Sequence, residues 1–133
     1  MIYYEDRVIT IYWEEEIRAV HTVWKGFASG NKYRNPLKKT AKLLALKKAS
    51  NYLANQSVLS VLDKEDQVWT ETIWWPMILK AGLKRLAIVM SEKKATEVFV
   101  REILERVLKN NPIDLGIFDN YEDAREWLGK GLH

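Results

Sequence analysis

The sequence predicts an α/β domain: a mixed sheet that opens on an antiparallel hairpin and continues α-β-α-β-α-β-α. Three observations carry this reading. Residues 7–27, RVITIYWEEEIRAVHTVWKGF, alternate apolar and polar side chains, the period of half-buried strands. Residues 85–90, RLAIVM, form a continuous apolar run, as expected of a strand buried on both faces. Amphipathic stretches of helical length separate the later strands, and such alternation implies parallel strands joined by right-handed crossovers.

In the first strand Ile9, Ile11 and Trp13 share a face. In the second, Ala19, His21 and Val23 oppose Val20, Thr22 and Trp24. The acidic Glu14–Glu16 run marks a turn or a polar strand end, and IYY at 2–4 is a candidate short strand before the hairpin. NPLKKTAKLLALKKAS (35–50) reads as a helix, with Asn35 as N-cap and Pro36 in the first turn. Its apolar stripe is Leu37, Ala41, Leu43, Leu44 and Leu46. NYLAN (51–55) is a short buried strand, and QSVLSVL (56–62) a loop.

Asp63 then caps a helix expected to run to about Ala81 and stop at Gly82, with Pro76 freeing the Thr72 carbonyl and so either kinking the helix or sitting near its exposed side. Glu65 and Asp66 suit its positive end. A further helix spans about Lys94 to Lys109, with Val98, Ile103 and Val107 spaced for packing. Asn110–Pro112 break it. DLGIFDN (114–120) is the last strand, and YEDAREWLG (121–129) a helix capped by Asp119 or Asn120 and inward through Ala124, Trp127 and Leu128.

At 133 residues and 47% hydrophobic, without a Pro/Gly-rich linker or repeat, the chain is expected to form one domain over 1–133. It contains no cysteine, which excludes disulfides, zinc–thiolate sites and cysteine nucleophiles. No signal-peptide layout or membrane-spanning run is present, so a cytoplasmic location is expected. Charge is unevenly spread. Residues 17–62 hold nine basic and no acidic side chains, +9 against −6 for the rest. Lys38, Lys39, Lys42 and Lys48 are the candidate basic surface for an anionic ligand or partner. A charge run of this kind ordinarily just solubilises a helix face.

Catalytic chemistry finds no constellation. The carboxylates sit at turns and helix starts, His21 is the only internal histidine, and His133 is terminal. KGFASGNK lacks the spacing of a phosphate loop, and two distant histidines do not make a metal site. The expectation is a non-enzyme without cofactor or metal. Tyr33 and Trp24 beside the lysines could stack on bases, but no nucleic-acid-binding motif accompanies them.

On an ideal wheel Val68, Thr72, Trp75 and Leu79 fall together, extended by Trp69 and Ile73. Trp74 falls opposite, flanked by Met77 and Ile78. One face of this helix is thus expected to pack on the sheet. The other, around Trp74, is expected either to lie under a neighbouring element or to be an apolar surface for a partner.

DKEDQVWTETIWWPMILKAGLKRLAIVM with the later IFDNYEDAREWL resembles the SpoIIAA-like branch of the STAS superfamily, bacterial domains related to anti-anti-sigma factors. The resemblance covers Asp63 to Leu128 at the level of motif. It implies a small β/α domain, often homodimeric, acting as a regulatory or protein-interaction module. Phospho-regulated STAS proteins carry a serine or threonine at the start of this helix. Asp63 stands there instead, with Ser57 and Ser60 upstream, which argues against a phospho-switch. The leading expectation is a non-enzymatic module that pairs through Trp74, Met77 and Ile78 with a second copy or another regulatory protein. The alternative, from a proposed likeness of the branch to CRAL–TRIO proteins, is a carrier of a small apolar ligand or lipid. Its site would lie between this helix and the 55–62 loop, lined by Trp69, Trp74 and Met77.

Overall fold

The computed structural model of the chain describes residues 1–130; His133 lies outside them. Six strands form one mixed sheet in sequential order. Strands β1 (Ile2–Glu5), β2 (Ile9–Glu14) and β3 (Ala19–Trp24) are antiparallel neighbours. Strands β4 (Asn51–Asn55), β5 (Arg85–Val89) and β6 (Asp114–Phe118) then add in parallel, each beside the one before. Right-handed crossovers that always step in one direction place their helices on one face of the sheet. That layer comprises α1 (Asn31–Leu46), α2 (Lys64–Trp69), α3 (Trp75–Ala81) and α4 (Lys94–Leu108). The last helix, α5 (Tyr121–Lys130), packs on the opposite face.

Alternation along the strands sorts the two cores. Ile9, Ile11, Trp13, Val20, Trp24, Tyr52, Leu86 and Ile88 point into the large core under α1–α4. Ala19, Leu53, Ala87 and Val89 form the smaller one with Ala124 and Leu128 of α5. Arg85 fastens the end of α5. Its guanidinium donates to the carbonyls of Trp127 and Leu128 at 3.2 and 3.1 Å and lies 4.1 Å over the Trp127 ring, satisfying terminal carbonyls that lack helical donors. Of the two candidate caps, Asn120 is the one used: Asp123 N–H donates to its Oδ1 at 2.9 Å.

Helix α1 departs from expectation at its start. It begins at Asn31 rather than after Asn35, so Pro36 lies inside it. The cause is tertiary. Gly30 holds φ 56° and ψ −136°, a region closed to side-chain-bearing residues, and its N–H donates to Asp66 Oδ2 at 2.9 Å. Leu46 and Val98, expected to pack inward, are exposed.

The helix expected from Asp63 to Ala81 is interrupted just before Pro76, where the proline is expected to kink it, and Pro76 itself is exposed. Residues Thr70–Trp74 form a π-helical turn between α2 and α3, with Trp75 N–H donating to the Thr70 carbonyl. Pro76 explains it: proline has no N–H for the Thr72 carbonyl, and its ring would clash with that carbonyl in a regular α-turn. Widening the turn by one residue removes the conflict. The Thr70 and Thr72 hydroxyls also bond back to the Asp66 and Val68 carbonyls, both at 2.7 Å, an arrangement that bends helices.

That extra residue rotates everything after it, and the ideal wheel fails in part. Trp69 and Trp75 are buried as the wheel has them, but Trp74 and Ile78, set opposite, are buried as well. Val68 is 51% exposed where the wheel put it in the core; Trp74 is 7% and Ile78 0% exposed. Gly82 does end the helix, at φ 120°.

Candidate functional site

Each residue of the expected apolar interface can now be placed. Trp74 is covered from within the monomer. Its indole Nε1 donates to the Leu37 carbonyl of α1 at 2.8 Å, and its ring meets Tyr52 edge-on at 5.8 Å. Ile78 is fully buried, and Met77 is partly buried against the same core. Trp69 packs edge-on to Tyr33 at 6.1 Å, with the Arg34 guanidinium 5.6 Å above it. No apolar surface of Trp74 and Ile78 is left for a partner, so the expected docking face of this helix is corrected to a core face.

The basic segment is likewise divided rather than pooled. Arg34 pairs with buried Asp66 at 2.8 Å, Arg18 with Glu15 at 3.0 Å and Lys25 with Glu5 at 3.2 Å. Lys39 lies 5.0 Å over the Tyr4 ring. Lys38, Lys42 and Lys48 are exposed. Trp24 and Tyr33, weighed as base-stacking residues, stack on each other at 5.2 Å and are buried. Asp63 does stand at the start of α2, exposed, where its carboxylate makes no capping bond.

The Trp74 side chain instead walls a cavity of about 80 Å³ between the sheet and its helical layer. The floor is Tyr52 and Ala54, the walls are Leu37, Trp74 and Trp75, and the far side is Phe99 and Ile103 of α4. Leu59 and Leu62 close it from the 55–62 loop. The cavity lies beside the helix and loop named in the carrier alternative; of the three residues expected to line that site, Trp74 lines the cavity and Trp69 and Met77 do not. The backbones of α1 and α5 approach the strands most closely, whereas α4 and the α2–α3 segment, which border the cavity, both stand off from the sheet. At about half the roughly 150 Å³ of an apolar cavity that admits benzene, the cavity takes only a smaller guest as it stands, and one the size of benzene or 1-hexanol enters as the helical layer moves outward.

The lining is apolar with a few polar atoms. The Thr70 hydroxyl donates to the Asp66 carbonyl, so the Tyr33 hydroxyl, 2.7 Å away, is the donor in their contact. Tyr52 bonds Thr22 weakly, at 3.4 Å. Two further residues of the lining hold buried polar atoms with no hydrogen-bond partner: the Trp75 indole Nε1, a donor, and Gln56 Oε1, an acceptor. Groups of this kind are ordinarily satisfied, and leaving one unmade costs on the order of 1–3 kcal/mol. Sequence reasoning did not single out Gln56 or the Trp75 nitrogen. The available signal was Pro76, whose effect on the turn decides where both tryptophans point.

Burial pushes the Tyr52 hydroxyl up to about 12, from an ordinary value of 10.0, and raises Tyr33 further still. Tyr121 on the other face is also pushed up to about 12, by burial and then by its bond to Glu14. A raised folded value means their contribution to stability is complete below pH 10 and is lost as pH rises from 10 through 12. Urea midpoints should therefore fall across that window, and less steeply in Tyr52→Phe. A flat profile in the parent protein contradicts the burial described here.

A second polar cluster lies under the start of α5. The His21 ring stacks between Tyr12 and Tyr121, at 5.2 and 4.9 Å. Its Nδ1 is 2.7 Å from Glu14 Oε2, off the line of a hydrogen bond. Tyr121 donates to Glu14 Oε1, and Arg125 reaches Glu16 at 2.6 Å. Burial raises the Glu14 carboxyl, but His21, Tyr121 and Arg125 outweigh it and hold it below its ordinary value of 4.5. Glu14 thus keeps its charge and Tyr121 its proton, states suited to clamping α5 onto β2. General acid–base work asks for values moved toward neutrality.

Among the described residues no helix is long and apolar enough to cross a membrane, and no three His, Asp or Glu side chains group as metal ligands. Searches of family models, curated proteins and solved structures give no match to this chain.

Proposed function

We propose that the chain is a non-enzymatic binding domain whose interior cavity takes a small apolar ligand carrying one polar group. One observation carries this reading. The lining is mostly apolar, and its hydroxyls (Tyr33, Thr70, Tyr52, Thr22) bond one another or the backbone, yet two of its residues, Trp75 and Gln56, each keep a buried polar atom, the donor Nε1 and the acceptor Oε1, with no partner in the protein. Few, well-placed polar groups in an apolar cavity are the mark of a site that orients its ligand. A short-chain alcohol or acid has the required character: an alkyl body for Leu59, Phe99 and Ile103, and a hydroxyl that can accept and donate. The burial of Trp74 and Ile78 favours this carrier reading over a module that docks through the tryptophan helix. We also read the domain as STAS-like. A hairpin followed by successive β-α units, each strand laid beside the last, supports that reading of its fold.

Native mass spectrometry and thermal denaturation of the full chain with 1-hexanol test the proposal. Hexanol is expected to raise the midpoint saturably, and Trp75→Phe to weaken hexanol more than it weakens benzene, which needs no donor. No shift with either probe, and a bare mass, would contradict it. Ala54→Val places two methyl carbons into the cavity from β4. It should stabilise the protein by about 1 kcal/mol, from added burial and strand preference, and weaken hexanol.

A further inference from the structure

The sheet ends in two edges of different character. At one, β1 is four residues long, its register breaks between Ile2 and Tyr4, and Glu5 lies exposed at its end. Short length, a bulge and charge are the devices that keep an edge from pairing. The other edge, β6, has none of them inside its five residues DLGIF beyond Asp114 at the end, which faces Arg85 at 3.7 Å.

Backbone alternation shows what β6 offers. Asp114 N–H donates to the Lys84 carbonyl and the Phe118 carbonyl accepts from Met90, so Asp114, Gly116 and Phe118 turn toward β5. Leu115 and Ile117 therefore turn their N–H and C=O groups outward, and among the described residues nothing pairs with them. Their side chains line an open groove with Leu104 and Leu108 of α4, rimmed by Arg101, Glu105 and Lys109.

We infer that this edge pairs with the same edge of a second copy, antiparallel, with Gly116 on the two-fold axis. That register sets Leu115 opposite Ile117 of the second copy. The four outward groups of each chain would then be satisfied, and apolar neighbours would meet on one face. It also sets Asp119 of one copy opposite Ile113 of the other, at the end of the groove where Lys109 stands. Both are exposed, and neither has an ion-pair partner among the described residues. The axis repeats this opposite-charge pairing twice, which is what favours a second copy over an unrelated extended peptide.

Light scattering of the full chain across a dilution series tests the inference. The parent is expected at twice 15.6 kDa, and Ile117→Lys at the single mass with an unchanged circular dichroism spectrum, its dissociation constant raised at least ~30-fold. Lys109→Asp should weaken the dimer by like-charge contact with Asp119, and adding Asp119→Lys should restore it. These two positions are exposed, so that pair decides the matter even if Ile117→Lys unfolds. A parent that stays monomeric, a folded Ile117→Lys that stays dimeric, or a charge swap that restores nothing would each overturn the inference.

Discussion

Trp74→Ala is expected to destabilise the protein by about 3–5 kcal/mol, the range for deleting a large aromatic side chain from a packed core. The indole is 7% exposed, meets Tyr52 edge-on at 5.8 Å and donates to the Leu37 carbonyl at 2.8 Å. Removing it opens the cavity toward α1 and unties that helix from the π-turn. Trp74→Phe separates the two contributions. Phenylalanine keeps most of the ring contact but loses the hydrogen bond, so a loss of about 1–2 kcal/mol is expected. The Leu37 carbonyl still accepts from the Thr40 hydroxyl at 2.7 Å, which limits the cost. Urea unfolding followed by circular dichroism reads both. Had Trp74 been an exposed docking residue, alanine would cost almost nothing and would alter only the mass in solution.

Asp66→Ala is expected to cost about 3 kcal/mol, at the low end for removing one partner of a buried ion pair. Asp66 is 2% exposed and accepts from the Arg34 Nε at 2.8 Å and from Gly30 N–H at 2.9 Å. Arg34 is partly exposed and can swing toward water, which softens the loss. The Gly30 amide cannot. It sits in a backbone conformation only glycine holds comfortably, at the first turn of α1, so its release should fray that helix. Asp66→Asn should fall between, because the amide keeps one acceptor but turns its NH₂ toward a donor. Hydrogen exchange at Asn31–Arg34 is expected to accelerate in Asp66→Ala before exchange in β3 or β4 does. Uniform acceleration throughout would show that the contact does not serve α1 in particular.

Both predictions concern features that local patterning could not place. Alternation in residues 7–27 assigned Val20, Thr22 and Trp24 to one face and Ala19 and His21 to the other, and the structure keeps that division, because side-chain period in a strand is fixed by the backbone itself. RLAIVM supplied the interior strand β5, paired on both sides, and Gly82 ended its helix for a local reason too. Helix α1 begins four residues earlier than its best capping signal because the bond that fixes its start comes from Asp66, 36 positions away. The tryptophan helix was misread for a different reason. A wheel assumes a constant turn, and one widened turn before Pro76 brings Trp74 and Ile78 onto the buried side with Trp69, away from exposed Val68. The cavity was legible only as a neighbourhood, the 55–62 loop beside that helix. Its polar atoms, on Gln56 and Trp75, are defined by what surrounds them in three dimensions.

The reading of the cavity as a binding site has one direct test, the indole resonance of Trp75 in proton–nitrogen NMR spectra of the labelled full chain titrated with 1-hexanol. Trp75 lines the cavity and its buried nitrogen has no partner, whereas Trp127 stacks with Arg85 on the opposite face of the sheet. The account predicts that the Trp75 signal moves and saturates as its N–H gains an acceptor, while the Trp127 signal stays in place. A Trp75 signal that does not move at any hexanol concentration, or that only follows a general drift shared with Trp127, would contradict it.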